Sequence, residues 1–293
     1  MTIDIDSIIL GDNQFFGVNH MSHERGNVTQ EHFKNIEEIK KVLFYAIDNG
    51  VSGIMFSTHP AIYQITDMIR ADHALRDHFN IYVNVPYVTK YISMINTMGL
   101  FGTIQKMLEG KSYLDKAGYV LKSLMNVGTK NYLQIANRLI DVELNPFYDL
   151  KVKSIFLHNA LTDLALGYKM ENVITSYDSY IKKQYGAIPA YGTLNYPRFS
   201  QFLNDAGISQ SLVMTAVNKK GFLMNPGREA VEAEIKKGSH TVLAMATLAS
   251  GSISPEEAYD YVFSLGHIKH VVVGLSSKHH ADETFRILRR YLR

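Results

Sequence analysis

The sequence of 293 residues contains no cysteine. That removes disulfides, thiolate nucleophiles and thiolate metal sites together, and it fits a reducing or hot cytoplasm. An excess of either charge is also missing: 30 Lys and Arg stand against 28 Asp and Glu, a net charge of +2. With no basic tail and no Arg-rich stripe, nothing calls for nucleic acid, whereas a small anionic ligand remains compatible. No apolar run reaches the roughly 18 residues that span a bilayer. The opening MTIDIDSIIL has neither a basic start nor a long apolar stretch. The expectation is a soluble, cytoplasmic protein.

What the sequence does have is a regular alternation of short apolar runs with helical periodicity. Runs of the kind buried on both faces of a parallel sheet occur at 7–10, 53–57, 80–85, 154–158, 187–191, 211–217, 241–246 and 270–274. Between the first two, Ile36, Ile39, Val42, Leu43, Ala46 and Ile47 share one helix face, and Asp48-Asn49-Gly50 closes that helix with a residue able to turn left-handed. Ser254-Pro255-Glu256-Glu257 is a helix start, with an N-cap Ser, Pro at the first position and acids in the first turn. Eight strand–helix units select a closed parallel sheet, a (β/α)8 TIM barrel of the α/β class, over an open doubly wound one. The length suits a single TIM-barrel domain over 1–293 with one insertion, and 46% apolar content can fill one large core. The insertion is the roughly 66-residue stretch 88–153 between the third and fourth strands, with helical segments carrying Met94, Met98, Met107, Leu108 and Met125. It reads as extra helices on the barrel side or as a lid or homo-oligomer surface using methionine's adaptability.

Chemistry in such a barrel sits at the C-terminal ends of the strands. The polar groups there are Asp12, Asn13 and Gln14; Ser57, Thr58 and His59; Asn84 and Tyr87; His158 and Asn159; Thr193 and Asn195; Asn218, Lys219 and Lys220; Thr247; and Ser276 and Ser277. The ring is short of carboxylates, so a hard divalent cation or a catalytic zinc is not expected, although His20, His23 and Glu24 with His59, His158 or Asp12 could supply ligands. His158 ends the run SIFLH, where an imidazole at the mouth can donate to a carbonyl oxygen or shuttle a proton; the alternative is a hydrogen-bonded histidine plugging the core. Near the C-terminus, two successive strand–loop–helix units, 241–262 and 270–292, each enter a helix through small polar residues. Such loops are expected to leave amides for phosphoryl oxygens at a helix N-terminus.

GTLNYPRF at 192–199, TLASGSISPEEA at 247–258 and VVVGLSSKHHADET at 271–284 resemble segments of the aldo-keto reductases, NADP(H)-dependent (β/α)8 enzymes that reduce aldehydes and ketones. AIDNGVSGIMFST at 46–58 and SIFLH at 154–158 are similar to further segments of that family. The resemblance implies NADP(H) as cofactor. It places Thr193 and Asn195 at the nicotinamide carboxamide, Leu248, Ala249, Ser250 and Gly251 at the pyrophosphate, and Ser276, Ser277, Lys278, His280, Glu283 and Thr284 at the adenosine phosphate. Lys278 or His280 would stand where the family commonly has an Arg on the 2′-phosphate. Of the family's Asp-Tyr-Lys-His tetrad, His158 matches the histidine and Tyr63, five residues after Thr58, the tyrosine. The aspartate position falls on Met55 or Thr58, and Lys90 or Tyr87 falls at the lysine's place.

Three functions follow. One is hydride transfer between NADP(H) and a small carbonyl or alcohol, with His158 and Tyr63 or Tyr87 polarising the oxygen. Another is a lyase, isomerase or hydrolase acting on a phosphorylated or polyhydroxy substrate through His158, Asp12, His59 and Asn84, with Lys219 or Lys220 as Schiff-base candidates. The last is a nucleotide-binding relative without catalysis.

Overall fold

The computed structural model describes residues 3–17, 30–88, 90, 92, 93, 96, 97, 132–275 and 278–292. Eight parallel strands close on themselves in sequence order. They are β1 (Ile8–Leu10), β2 (Gly53–Ser57), β3 (Asn80–Val85), β4 (Val152–Leu157), β5 (Ile188–Thr193), β6 (Leu212–Ala216), β7 (Thr241–Met245) and β8 (His270–Val273). Closure is made by β1 against β8, with Ile8, Ile9 and Leu10 opposite Val271, Val272 and Val273.

Side chains alternate across each strand, so one set fills the barrel and the other meets the helices. Ile9, Met55, Tyr82, Phe156, Ala190, Leu212, Met214 and Leu243 form the interior cluster. Their neighbours Leu10, Ile54, Phe56, Ile81, Val83, Ile155, Val213 and Val242 belong to the outer layer under the helices.

That layer is covered by α1 (Ile36–Asp48), α2 (Ile62–Ala71), α3 (His73–His78), α4 (Tyr132–Leu144), α5 (Asn159–Gly167), α6 (Glu171–Tyr185), α7 (Tyr196–Asp205), α8 (Arg228–Lys237), α9 (Pro255–Ser264) and α10 (Lys278–Leu288). Two of their boundaries show the local chemistry directly. After α1, Gly50 takes φ +79°, as the Asp48-Asn49-Gly50 stop requires. Before α9, the Ser254 hydroxyl accepts the Glu257 amide at 3.3 Å. Among the described residues no helix is long and apolar enough to cross a membrane.

Two features frame the mouth. At the opposite end the barrel is sealed by residues 3–6: Ile3 and Ile5 pack on the interior cluster. The Asp6 carboxylate accepts from Ser52 Oγ at 2.5 Å, from Asn80 at 2.9 and 3.0 Å and from the Tyr82 hydroxyl. Within the insertion, α4 packs on β3 and α6, so its described C-terminal portion is a helix on the barrel side. Residues 98–131, with Met98, Met107, Leu108 and Met125, lie outside the described residues, as does Met94.

Candidate functional site

The mouth is built from the residues that follow each strand. Pairing of β3 with β4 runs one residue beyond the strands, because the His158 amide donates to the Val85 carbonyl at 2.7 Å. Alternation therefore turns His158 to the same side as Phe156, towards the barrel axis. Its Nδ1 accepts the Ala160 amide at 3.2 Å and caps α5. A neutral imidazole with Nδ1 accepting must carry its proton on Nε2, which makes Nε2–H a donor. Burial lowers the His158 pKa, which favours this neutral form.

The same parity places Ser57 inward, two residues after Met55, and Asn84 inward, two after Tyr82; the two are opposite one another in register. Asp12, 6% exposed, reaches across from the loop after β1. Its Oδ2 accepts both the Ser57 amide and the Ser57 hydroxyl at 2.7 Å. Burial pushes this carboxyl up to about 6, against the opposing effect of the two Ser57 bonds. The Asn84 Oδ1 is buried without a hydrogen-bond partner among the described residues. Asp12, Ser57, Asn84 and His158 thus form a polar arc over the first four strands. An aromatic wall flanks it: Phe16 stacks on His59 with centroids 4.2 Å apart, and His59 meets Tyr87 edge-on at 5.1 Å. The His59 Nδ1 accepts the Ala61 amide, and burial lowers its pKa.

Behind the arc lies a carboxylate that the sequence reading missed. Glu143, near the end of α4, is 3% exposed. It accepts from the Thr58 hydroxyl, from the Tyr87 amide at 3.3 Å and from Lys90 at 3.1 Å. Thr58 follows the inward Ser57 and so faces outward, and Glu143 arrives on a helix packed outside β3. Lys90 is drawn into this outer group. The only sequence signal for Glu143 is an acidic residue on an otherwise apolar helix face, which has no meaning until the fold brings Thr58, Tyr87 and Lys90 to it. Tyr63 lies on α2, 47% exposed, and its hydroxyl takes a 3.4 Å bond from the Asn145 amide.

On the far side, β5 ends in a second organised loop. Asp163 of α5 accepts the Thr193 hydroxyl at 2.5 Å and the Leu194 amide at 3.0 Å, and Thr193 Oγ1 accepts the Asn195 amide. This holds Asn195 at the helix entrance with its Oδ1 buried and without a partner among the described residues. After β6, Asn218 closes its own loop through Phe222. Lys219 pairs with Glu257 at 2.8 Å and Lys220 donates to the Ser252 carbonyl, both on exposed surface.

The loop after β7 is partly closed by its own backbone. Ala249, Ser250 and Gly251 all have positive φ, and this left-handed run closes the loop on itself. The amides of Ala249, Gly251 and Ser252 bond to the Ala246 and Leu248 carbonyls. The amides of Leu248 and Ser250 are without a protein acceptor among the described residues. In the loop after β8, Ser276 and Ser277 lie outside the described residues. Lys278 opens α10, while Thr284 is buried, Glu283 half-buried and His280 exposed on the same helix. His20, His23 and Glu24 also lie outside. Among the described residues no group of three or more His, Asp or Glu could hold a metal ion.

These features define a (β/α)8 barrel with a polar, weakly acidic mouth. Comparison with solved structures finds the same fold in other chains, two of which follow. One is described as "the putative aldo-keto reductase from Pseudomona aeruginosa", with TM-score 0.63 and 13% identity over 98% of this chain and 91% of that one. The other, of the same description and organism, gives TM-score 0.62 at the same identity and coverage. No family model matches the sequence, and no curated protein does. At this identity the likeness is one of fold.

Proposed function

We propose that this barrel is an oxidoreductase of the aldo-keto reductase type, moving hydride between NADP(H) and a small carbonyl or alcohol in the mouth. The observation that carries the reading is Asn195: an amide oxygen at the end of β5, buried and without a donor among the described residues, where the resemblance puts the residue that holds a nicotinamide carboxamide. A buried acceptor left unpaired costs on the order of 1–3 kcal/mol, which a carboxamide N–H would recover. Thr193 and Asp163 fix the loop that presents it, and the Leu248 and Ser250 amides fit a pyrophosphate. A bound dihydronicotinamide supplies hydride to a carbonyl carbon. The chain supplies His158, whose Nε2–H donates to the carbonyl oxygen, and the Phe16–His59–Tyr87 wall, which limits the space beside it. The resemblance's Tyr63 and Lys90 are both engaged away from the arc, by Asn145 and by Glu143, so in this reading neither carries the proton. A cytoplasmic setting, where NADP(H) is present, goes with it.

Calorimetric titration with NADPH and NADH tests this. Saturable binding is expected, weakened about tenfold or more in Asn195→Leu. Absence of heat with both nucleotides at millimolar concentration sinks it.

A second reading rests on Asp12. A buried carboxyl that titrates near 6, across the mouth from a neutral histidine, suits cofactor-free acid–base chemistry by a lyase or isomerase on a polyhydroxy or phosphorylated substrate. The surface engagement of Lys219 and Lys220 argues against its Schiff-base version. Turnover of such a substrate without nucleotide would select this reading.

A further inference from the structure

We infer that Ser57 and Asp12 form a two-residue proton relay, in which Ser57 is the group that touches the substrate oxygen and Asp12 the proton source behind it. The inference rests on the oxidoreductase reading above. It starts from the asymmetry of the pair. Ser57 is inward-facing and partly exposed at the mouth, whereas Asp12 is sealed, 6% exposed, with the Ser57 hydroxyl 2.7 Å from its Oδ2. The Ser57 amide binds the same oxygen at 2.7 Å, so the carboxyl cannot turn away from the hydroxyl. Oδ2 reaches the mouth through Ser57.

The proton balance is simple. With Asp12 neutral, its O–H donates to Ser57 Oγ, and the Ser57 O–H is released to point into the mouth. As hydride reaches the carbonyl carbon, the Ser57 O–H bond breaks and the new O–H forms on the substrate oxygen. The Asp12 O–H bond breaks in the same movement and remakes the Ser57 hydroxyl. Asp12 is left as a carboxylate held by the Ser57 amide and hydroxyl, the arrangement in the structure. It recovers a proton from water once the alcohol leaves; oxidation runs the path backwards. A carboxyl held up near 6 by burial is a competent source in the neutral range. Among the described residues the titratable groups on neighbouring elements are His59 after β2, Tyr87 and Lys90 after β3, Glu143 on α4 and His158 after β4.

The test uses the full chain, NADPH and a panel of small aldehydes and ketones. Wild-type kcat/KM for reduction is expected to fall tenfold per pH unit above the Asp12 pKa. Ser57→Ala should lower kcat by 10²–10⁴ with NADPH affinity unchanged, while Ser57→Thr, which keeps the hydroxyl, should stay within about tenfold of wild type. Carbon-13 NMR of the Asp carboxyls gives a readout independent of turnover: the Asp12 midpoint should rise in Ser57→Ala, since the lost bond favours the ionised form. The relay is overturned if Ser57→Ala keeps both the turnover and the pH limb, or if the Asp12 midpoint does not move. A wild type that binds no NADPH removes the oxidoreductase reading instead, and the NMR arm still decides whether the two side chains share a proton.

Discussion

At the scale of single residues, two aspartates at opposite ends of the barrel titrate in opposite senses. Burial pushes Asp6 up, but the Ser52, Tyr82 and Asn80 hydrogen bonds and the Lys153 charge outweigh it and leave its pKa lowered. Asp6 therefore contributes stability that is present above its ordinary pKa and lost as pH falls further. Asp12 is the reverse case, raised from 3.8 to about 6. The folded state holds its proton more tightly than the unfolded chain, so its stabilising share is complete below about pH 4 and lost as pH rises through 6. The shift corresponds to roughly 3 kcal/mol. Asp12→Asn, which keeps an acceptor for Ser57, should be more stable than wild type at pH 7 and should flatten the urea midpoint between pH 4 and 6. An unchanged pH dependence would show that Asp12 is not held protonated. Glu143 offers a different test. Glu143→Ala leaves the Thr58 hydroxyl without its carboxylate acceptor, while the Tyr87 amide keeps Thr58 Oγ1 at 3.0 Å, and should cost about 1–3 kcal/mol in denaturant unfolding. Lys90 is partly exposed, so its loss of a partner adds little.

At the scale of elements, the strands were legible because each is buried on both faces and carries an uninterrupted apolar run. Their limits moved by up to two residues where the run and the pairing differ. β4 begins at Val152 rather than 154, recruiting Val152 and Lys153 to the sheet, and β5 continues to Thr193 because Gly192 and Thr193 pair with Met214 and Thr215. The start of α9 was legible from its capping chemistry. Ser254→Ala should cost about 1 kcal/mol, measured by chemical denaturation; no loss would mean that Pro255 and the acidic first turn suffice. Candidate site positions could be read as strand ends, but their grouping could not. Parity decides that Ser57 faces the mouth and Thr58 the helices, and a sequence alignment has no access to that. The Asp12–Ser57 and Glu143–Thr58 bonds join residues 45 and 85 positions apart, beyond any local pattern. In the β7 loop the small residues serve a left-handed backbone at Ala249, Ser250 and Gly251, a use that the sequence pattern does not separate from an anion cradle.

At the scale of the whole molecule, the barrel interior is layered, and its lowest layer is the least tolerant. Gly53 faces inward there, and a Cβ on it would stand 3.0 Å from Asp6 Cβ and Ile9 Cγ1 and 3.2 Å from Tyr82 Cε2. Two of these neighbours are stiff parts of the seal, so they cannot yield cheaply. Gly53→Ala is expected to destabilise by about 1–3 kcal/mol without altering the nucleotide affinity proposed above, because the mouth lies at the other end of the strands. Thermal unfolding with and without NADPH separates the two effects. A loss of affinity at equal stability would contradict the separation of sealed end and reactive end.

The seal also fixes when the molecule can finish forming. His270 Nδ1 meets the Asp6 carbonyl, 264 positions away, and β1 finds its second partner only in β8. While the chain is still emerging from the ribosome, the first strand has one neighbour and a bare edge for nearly the whole of translation. Long-range pairings of this kind slow folding and leave edges open to wrong partners. Helpers that shield nascent chains should therefore matter most for this protein before its last strand has been made.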